Sequence, residues 1–413
     1  MWLQHTSVRQ RRTLLAGFLG YGVDGFDFMI YSFVIPTLLT AWSMTKAQAG
    51  LIATAALLTS AAGGWAAGVL ADRYGRVRLL QLTVAWFAAF TFLSGFTQTY
   101  GELLVTRALQ GLGFGGEWAV GSVLVAETIA ARHRGRAAGL VQSSWAVGWA
   151  VAALAFWAIY ALVPAEIAWK ILFWIGIGPA LLVLYVRRRV EESPLYLASR
   201  RTRRGPVSWD FLLIFRGRLL PVTTLASLLC CGMLGAYYSV TIWLPTYLKI
   251  ERHLSVAGTA GYLLVLIGGS FAGYLTGAWL SDLLGRRRCV IGFALGGALL
   301  IVGYTRVPIT DGEMLLLGFP LGFFLSGIFS GIGAFLAELY PSAVRGSGQG
   351  FCYSAGRAVG ALGPALIGAG STHHALGTLI GASTLGAYLL VILAAWALPE
   401  TRGRVLGEDE TAR

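Results

Sequence analysis

The chain has 413 residues, of which 56% are hydrophobic and only 12% are charged, and its mean hydropathy is +0.68. Soluble domains carry about 25% charged residues, so this composition excludes an ordinary soluble protein. The net charge of +13 would suggest nucleic acid as a partner of a soluble protein, but basic residues in membrane proteins collect on the cytoplasmic side. We therefore expect a lipid bilayer, and no nucleic acid, as the partner of these charges.

Twelve apolar runs follow one another along the chain, each long enough to cross a bilayer of about 30 Å as a helix. The first six are Leu14–Leu39, Ala49–Ala71, Leu79–Thr97, Glu102–Ala126, Ala137–Val163 and Ala168–Val186. The last six are Leu219–Leu248, Ala257–Leu280, Cys289–Val307, Gly312–Leu336, Gly350–Gly370 and Leu376–Leu398. This pattern predicts an all-α membrane protein with twelve transmembrane helices. Its predicted parts are an N-terminal six-helix bundle (1–186), a basic linker (187–218), a C-terminal six-helix bundle (219–398) and a tail (399–413).

The distribution of basic residues predicts the orientation. Of the 32 Lys and Arg residues, 25 lie in segments on the side of the two chain ends, 5 lie on the other side and 2 lie within helices. Positively charged loops stay in the cytoplasm, so both termini and the linker are predicted to be cytoplasmic. The first apolar run is too long and too acidic for a cleaved signal peptide. We therefore expect a multi-pass protein of the cytoplasmic (inner) membrane.

The two halves repeat each other. The segment Asp72–Arg78 after the second helix matches Asp282–Arg288 after the eighth at an offset of 210, and Glu191 matches Glu400 at an offset of 209. Glu127 and Arg134 match Glu338 and Arg345 at an offset of 211. These matches indicate a duplicated six-helix unit whose two copies are parallel. Repeats of this kind hold the substrate at their interface near the membrane midplane.

The repeated polar residues lie at the cytoplasmic ends of helices. An Asp in such a loop can cap a helix or pair with a neighbouring Arg, and a Gly permits a tight turn. We interpret the set as a conformational latch, and less readily as a substrate site. The predicted latch residues are Asp72, Arg73, Gly75, Arg76, Glu127, Arg134, Asp282, Gly285, Arg286, Glu338 and Arg345.

Two acids, Asp24 and Asp27, lie inside the first apolar run. Each costs roughly 2.5–3.5 kcal/mol in the middle of a membrane, and intramembrane acids usually mark function. At helical spacing they share one face with Gly20 and Tyr31, so we expect both carboxyl groups to point in the same direction. They either pair with a basic neighbour and hold helices together, or they line a water-filled pathway and take up protons.

Charged residues in the middle of the membrane do not recur between the halves, whereas the loop charges do. Asp24, Asp27, Arg107, Glu117 and Arg357 all lack a charged counterpart at an offset of about 210. A purely structural group should tend to recur in both copies. The asymmetry therefore favours a role in transport for these five residues.

The fourth helix places Arg107, Gln110, Phe114 and Glu117 roughly on one stripe. A guanidinium favours the ionised form of an Asp in the first helix, whereas burial favours the neutral acid, and a proton carrier needs this balance. We predict that Asp24, Asp27, Glu117 and Arg107 couple transport to protons. The alternative is a static ion pair between the first and fourth helices.

The eleventh helix carries Arg357, with Tyr353 one turn before it. A guanidinium is a planar donor fork that suits a carboxylate and stays charged, so Arg357 is the best candidate for binding an anionic substrate. The alternative is packing against helix-end carbonyls or an acid. The further predicted substrate-binding residues are Tyr31, Gln142, Trp145, Tyr237 and Tyr353.

The loop motifs resemble those of the major facilitator superfamily over essentially the whole chain. The segments Asp24–Asp27, Gly115–Trp118, Arg134–Arg136 and Gly356–Pro364 are similar to the sialate and monocarboxylate proton symporter branch, and to metabolite and aromatic-acid symporters more widely. This resemblance implies proton-coupled uptake of a small organic acid by two bundles that rock about a central site. It also implies that the proton is the coupling ion, and we expect a monomer.

The sequence also bears on several alternative functions. Because no nucleotide-binding loop, nucleophile motif or metal-ligand spacing occurs, we expect no enzyme activity, metal or cofactor. An exporter or antiporter of the same fold is less favoured, since the fifth helix lacks a Gly-Pro dipeptide of the kind that antiporters have there. A symporter of a neutral or zwitterionic metabolite remains open. A signalling or scaffold protein with a transporter-like body is disfavoured by the intramembrane charges.

Overall fold

A computed structural model describes residues 6–129, 134–178, 185, 190–192, 209–307, 309–341 and 344–402, and all regular structure within them is helical. The first nine α-helices are α1 Val8–Ala41, α2 Lys46–Tyr74, α3 Arg76–Ser94, α4 Tyr100–Thr128, α5 Arg134–Leu162, α6 Ala165–Ile175, α7 Leu219–Ile250, α8 Val256–Leu284 and α9 Arg286–Arg306. The others are α10 Asp311–Gly327, α11 Ile332–Leu339, α12 Arg345–Gly360, α13 Leu362–Gly370 and α14 Leu376–Ala397. A 3₁₀ helix, Trp209–Phe215, precedes α7.

Each of the twelve predicted spans corresponds to one helix or to two consecutive helices. The tenth span is broken into α10 and α11 and the eleventh into α12 and α13, whereas the continuation of the sixth lies outside the described residues. Nine stretches of the described chain are long and apolar enough to cross a membrane. The other three spans are α4, which carries Arg107 and Glu117, the short α6, and the pair α12–α13. The predicted all-helical, twelve-span architecture is confirmed.

The helices begin where the sequence supplies side chains that can accept hydrogen bonds from the first backbone N–H groups. Ser7 with Gln10, Thr45 with Gln48, and Thr310 with Glu313 form complete capping boxes at α1, α2 and α10. Each box satisfies two backbone groups that the helix itself leaves unbonded. These caps explain why the three helices start one to six residues before the apolar runs do.

Glycines allow pairs of helices to pack at backbone distance within each half. In the first half, a Cβ atom on Gly115 of α4 would lie 1.7 Å from the carbonyl oxygen of Ser60 in α2. In the second half, a Cβ on Gly269 of α8 would lie 1.8 Å from the carbonyl oxygen of Phe319 in α10. No side chain fits at such a crossing. Small residues at membrane helix interfaces serve this close approach.

The turns between α2 and α3 and between α8 and α9 have the same backbone geometry. Gly75 has φ 105° and ψ 149°, and Gly285 has φ 101° and ψ 155°. Positive φ is rarely adopted by residues with a side chain, so glycine is required at both turns. This part of the predicted repeat is therefore present in the backbone.

One residue assignment in the repeat is wrong by one position. Glu400 accepts hydrogen bonds from the backbone N–H groups of Arg286 (2.9 Å) and Arg287 (3.2 Å) at the start of α9. Glu192, and not Glu191, makes the matching contacts at α3, to the N–H groups of Arg76 (3.1 Å) and Val77 (3.2 Å). Two adjacent glutamates cannot be distinguished by spacing alone. Glu191 instead lies 3.3 Å from Arg9 in a surface ion pair.

The predicted latch is described most fully in the second half. Arg286 pairs with Asp282 one turn earlier, and its Nη2 atom lies 3.1 Å from Oε1 of Glu338 at the end of α11. Thr401 of the chain end also donates a hydrogen bond of 2.5 Å to Glu338. Other predicted latch side chains lie outside the described part of the structure, namely those of Asp72, Arg73, Glu127, Arg134 and Arg345. A role in switching stays a prediction for the whole set.

The two halves meet most tightly on one side. We call the side where α1 begins and α14 ends the terminal face, and the opposite side the far face. Towards the far face, every residue of α1 from Asp24 to Leu38 and of α7 from Ala236 to Leu248 is buried. There Thr54 of α2 donates a hydrogen bond of 2.6 Å to the carbonyl of Ala361, between α12 and α13. The conformation is therefore closed towards the far face.

Candidate functional site

A narrow cavity lies between the two halves, about midway along the helices. The volume that a water-sized sphere can occupy in it is only about 20 Å³. Aromatic side chains form most of the wall, with one acid and one arginine. The lining residues are Tyr21, Asp24, Phe114, Trp145, Leu234, Tyr237, Tyr238, Tyr274, Phe329, Tyr353 and Arg357. Sites that hold small molecules have this composition, an apolar and aromatic wall with a few polar groups that fix orientation.

Arg357 of α12 brings the positive charge to this cavity. The residue is only 6% exposed, and its guanidinium lies 5.5 Å from the ring centre of Phe114 and 5.4 Å from that of Tyr353. It also interacts with the hydroxyl groups of Tyr238 and Tyr353. Phe114 belongs to the first half and the two tyrosines to the second. The aromatic faces therefore hold the guanidinium at the junction of the two halves, where cation–π attraction stabilises it.

Asp24 of α1 brings a carboxyl group to the same cavity and interacts with Arg357. Its carboxyl also interacts with that of Glu117, which comes from α4 behind the wall. Asp24 is 0% and Glu117 is 1% exposed. Neither oxygen of Asp24 accepts a hydrogen bond from a donor among the described residues. Two buried carboxyl groups this close cannot readily both be ionised.

Asp27 lies in a separate cluster within the first half. Its Oδ2 atom accepts a hydrogen bond of 2.5 Å from Nε2 of Gln110 and lies 3.8 Å from Nη1 of Arg107. The Arg107 guanidinium lies 5.5 Å from the ring centre of Tyr31 and 5.7 Å from that of Phe173. All of these groups are in the first half, so this ion pair does not cross the interface.

The expectation that the carboxyl groups of the two aspartates point in the same direction is wrong. A step of three residues turns the helix by about 60° short of a full turn. That rotation brings Asp24 to the cavity and to Glu117, whereas Asp27 meets Gln110 and Arg107 away from the cavity. The two acids therefore sit in different surroundings although they are one turn apart.

A hydrogen bond joins the halves at the cavity wall. Nε1 of Trp145 in α5 donates to the hydroxyl of Tyr237 in α7 at 2.6 Å. The Trp145 ring also lies 5.1 Å from that of Tyr21 and 5.7 Å from that of Phe28, all in the first half. Any separation of the halves at this level has to break this bond.

The structure brings some of the predicted site residues together and leaves others apart. Asp24, Trp145, Tyr237, Tyr353 and Arg357 line the cavity, and Glu117 contacts it through Asp24. Arg107 and Asp27 lie in the neighbouring cluster. Tyr31 and Gln142 are not among the lining residues, and the hydroxyl of Tyr31 donates to the carbonyl of Ala49 at 2.7 Å. Transport roles for all of these residues stay predictions.

Sequence reasoning did not single out several aromatic members of the wall. Among them, Tyr21 precedes Asp24 by three residues, but Asp27 follows Asp24 at the same spacing and does not line the cavity, so this spacing alone is no signal. Tyr274 and Phe329 carry no signal either, since an aromatic residue in a transmembrane helix has the same sequence context whether it packs or binds. No group of three or more metal-ligating side chains occurs in the part of the chain that the structure describes.

Comparison with known proteins identifies the family. The model of the Major Facilitator Superfamily matches residues 17–310 and 266–412. The probable 4-methylmuconolactone transporter of Cupriavidus pinatubonensis is 40% identical over 402 residues, covering 97% of this chain and 93% of that protein. The sialic acid transporter NanX of Escherichia coli is 27% identical over 404 residues, covering 96% of each.

A solved structure shows the same fold. The proton:xylose symporter XylE superposes with a TM-score of 0.76 at 19% identity, covering 96% of this chain and 98% of XylE. These relatives and structural neighbours are transporters and not enzymes, which confirms the prediction of a multi-pass membrane transporter. The chain belongs to the major facilitator superfamily.

Proposed function

We propose that this protein is a symporter that imports a small organic acid together with a proton across the cytoplasmic membrane by alternating access. The observation that carries the proposal is that Arg357 and Asp24 both line the cavity between the halves. A buried arginine provides a binding group for a carboxylate, and a buried acid provides a binding group for a proton. Both binding groups belong to one chain, so a single copy of the protein forms the complete site.

The distribution of charge supports an assignment of the terminal face to the cytoplasm. The sequence segments predicted to lie on the side of the two chain ends hold 25 of the 32 Lys and Arg residues, and such segments stay in the cytoplasm. The tight packing of α1 against α7, and of α2 against the α12–α13 junction, is then on the outer side. In alternating access, these contacts have to open so that substrate can enter from outside. The halves that rock are residues 1–186 and 219–398.

The cavity wall and the relatives both support an organic acid as substrate. Two relatives are named as a probable 4-methylmuconolactone transporter and a sialic acid transporter, and both of these compounds are carboxylic acids. Eight of the eleven lining residues are aromatic, and such a wall favours a compact, ring-containing acid that can stack. A carboxylate on Arg357 and a ring among the aromatic side chains would satisfy both parts of the wall.

The proposal is tested by measuring pH outside weakly buffered, de-energised cells that express the protein. A panel of acids is added, including 4-methylmuconolactone, N-acetylneuraminate, lactate, pyruvate and benzoate. Symport predicts that the medium becomes alkaline with at least one acid, and that Arg357→Ala reduces this signal at least tenfold. Arg218→Ala, which removes an exposed arginine outside the cavity, is the matched control and should keep the signal.

Two outcomes would contradict the proposal. The first is no alkalinisation with any acid although the protein is present in the membrane, which would favour an antiporter or a carrier of neutral molecules. The second is an unchanged signal in Arg357→Ala, which would place the carboxylate elsewhere in the protein.

A further inference from the structure

The geometry points to Asp24 and Glu117, and not Asp27, as the pair that takes up the transported proton, with Arg357 binding in turn the Asp24 carboxylate and the carboxylate of the substrate. This inference rests on the proposed function and adds to it the identity of the proton site, the stoichiometry and the number of charges that the substrate carries.

The contact between the two carboxyl groups is the first argument. Asp24 and Glu117 come from different helices, are almost fully buried, and interact with each other. Both Asp24 oxygens and Oε2 of Glu117 lack a hydrogen-bond donor among the described residues. An ionised carboxylate has no proton to donate, so the contact becomes a hydrogen bond only when one partner is protonated. The pair therefore holds at least one proton in this buried site.

The surroundings of Asp24 are the second argument. The ionisable groups that face it are Glu117 from α4, Arg357 and Tyr353 from α12, Tyr237 and Tyr238 from α7, Tyr274 from α8, and Tyr21 and Asp27 from α1 itself. From α5 it meets Trp145, which does not ionise. Arg357 is thus the cation that Asp24 faces in the cavity. An ionised Asp24 and a substrate carboxylate compete for the same guanidinium.

Counting charges at this site gives a coupling mechanism. In the empty carrier, the pair holds one shared proton, and its single negative charge cancels that of Arg357. When a monocarboxylate binds to Arg357, a second proton on the pair restores neutrality. Binding either one alone leaves a net charge in a buried site, which is costly. Proton and substrate therefore bind with positive coupling, one of each per cycle.

Asp27 has a different environment. It is hydrogen-bonded to Gln110 at 2.5 Å and lies 3.8 Å from Arg107, and it does not line the cavity. Because Arg107 is in the same half of the protein, this pair moves with that half as a unit. Its charges are balanced within the first half whether or not a substrate is bound. We assign it to holding α1 against α4.

A first experiment locates the protonated carboxyl groups without any substrate. Dicyclohexylcarbodiimide reacts with carboxyl groups in their protonated form and enters apolar sites. The purified wild-type protein is labelled near neutral pH, and the labelled residue is identified by peptide mass spectrometry. We expect the label on Asp24 or Glu117 and not on Asp27. Label on Asp27 alone, or none on the pair, would overturn the inference.

A second experiment measures coupling in proteoliposomes with 4-methylmuconolactone as the probe. With a gradient of one pH unit and no membrane potential, one proton per carboxylate gives about tenfold accumulation. In Asp24→Asn we expect accumulation to fall to about onefold, while exchange of internal for external probe continues. Asp27→Asn should yield less folded protein but keep the tenfold accumulation ratio.

The results distinguish failure of this inference from failure of the proposed function. If the wild-type protein accumulates no acid under a pH gradient, the symport proposal fails, and the carbodiimide result alone decides where the protonated pair lies. If the wild type accumulates the probe and Asp24→Asn does so equally, symport stands and the assignment to Asp24 is wrong. Loss of accumulation in Asp27→Asn with retention in Asp24→Asn would move the proton to Asp27.

Discussion

Asp24 and Asp27 are one turn apart on the same helix but meet different partners. Asp24 meets a second acid and a cavity, whereas Asp27 meets an amide donor and an arginine. The chemistry of each carboxyl is set by the residues of α4 that reach it, and not by its own position in the membrane. Neighbouring residues of one type can therefore hold opposite roles, one exchanging a proton and the other keeping its charge.

At the scale of single residues, Glu117→Gln tests how the acid pair sets the working pH of transport. Glutamine keeps the shape of the side chain but cannot ionise. In the wild type, the pair that has released the transported proton still shares one proton, and this sharing stabilises its single negative charge. Glutamine has no acidic proton to share, so Asp24 keeps the transported proton up to a higher pH. We expect the pH of half-maximal uptake of 4-methylmuconolactone to rise by about one unit.

The measurement is initial uptake into proteoliposomes over a series of external pH values. The control is Glu313→Gln, which removes an exposed acid at the start of α10. That variant should leave the profile unchanged. An unchanged or acid-shifted profile in Glu117→Gln would show that Glu117 does not share a proton with Asp24.

At the scale of helices, the closeness of α2 to α4 depends on glycine. Gly115→Ala places a Cβ atom 1.7 Å from a backbone oxygen of α2, so the two helices have to separate. Overpacking of this kind costs about 1–3 kcal/mol. We expect a lower Tm for the purified variant in detergent, measured by tryptophan fluorescence during heating.

Gly101→Ala on the same helix is the matched control. A Cβ atom on Gly101 meets nothing within 4 Å, and alanine favours helix over glycine by up to about 1 kcal/mol. Its Tm should stay the same or rise. Equal Tm values for the two variants would mean that the α2–α4 crossing relaxes at no cost.

The order and number of the membrane spans could be predicted because apolar runs are local signals. The internal repeat could also be predicted from the sequence, and Gly75 and Gly285 occupy equivalent turns with similar dihedral angles. The break between α10 and α11 was not predicted, because the run carries no charged residue from Met314 to Leu336. The choice of Glu192 over Glu191 depends on where the chain returns to α3, which spacing does not encode.

The candidate site was only partly predictable for a related reason. The charges Asp24, Glu117 and Arg357 stand out in an apolar sequence because burying a charge is costly. The aromatic wall does not stand out, since burying Tyr274 or Phe329 in a packed core costs no more than placing it in the wall of a binding site. Which charges meet is decided by helix rotation and by contacts between distant segments, and these are properties of the tertiary structure.

At the scale of the whole molecule, alternating access requires the contacts towards the far face to open. Thr54 of α2 reaches the backbone at Ala361 across the two halves, at 2.6 Å. We expect that Thr54→Cys with Ala361→Cys, in a background where the four native cysteines are replaced by alanine, forms a cross-link on oxidation. The cross-link should reduce uptake at least tenfold, because it holds the outer side closed.

The measurement is uptake before oxidation, after oxidation and after reduction with dithiothreitol. Each single cysteine variant is a control and should be insensitive to oxidation. Full uptake by a protein that is shown by mass spectrometry to be cross-linked would mean that the halves do not part at this level.

The acids of α1 also have a consequence for the synthesis of the protein. Gln110, the hydrogen-bond donor to Asp27, lies 83 residues later in the chain, and Arg107 and Glu117 belong to the same helix. When α1 leaves the ribosome, its two carboxyl groups therefore face lipid without the α4 residues that they meet in the finished protein, each at a cost of roughly 2.5–3.5 kcal/mol. Insertion of α1 on its own is therefore less favourable than its insertion beside α4. The first half thus gains stability in the membrane when α4 has been delivered by the insertion machinery.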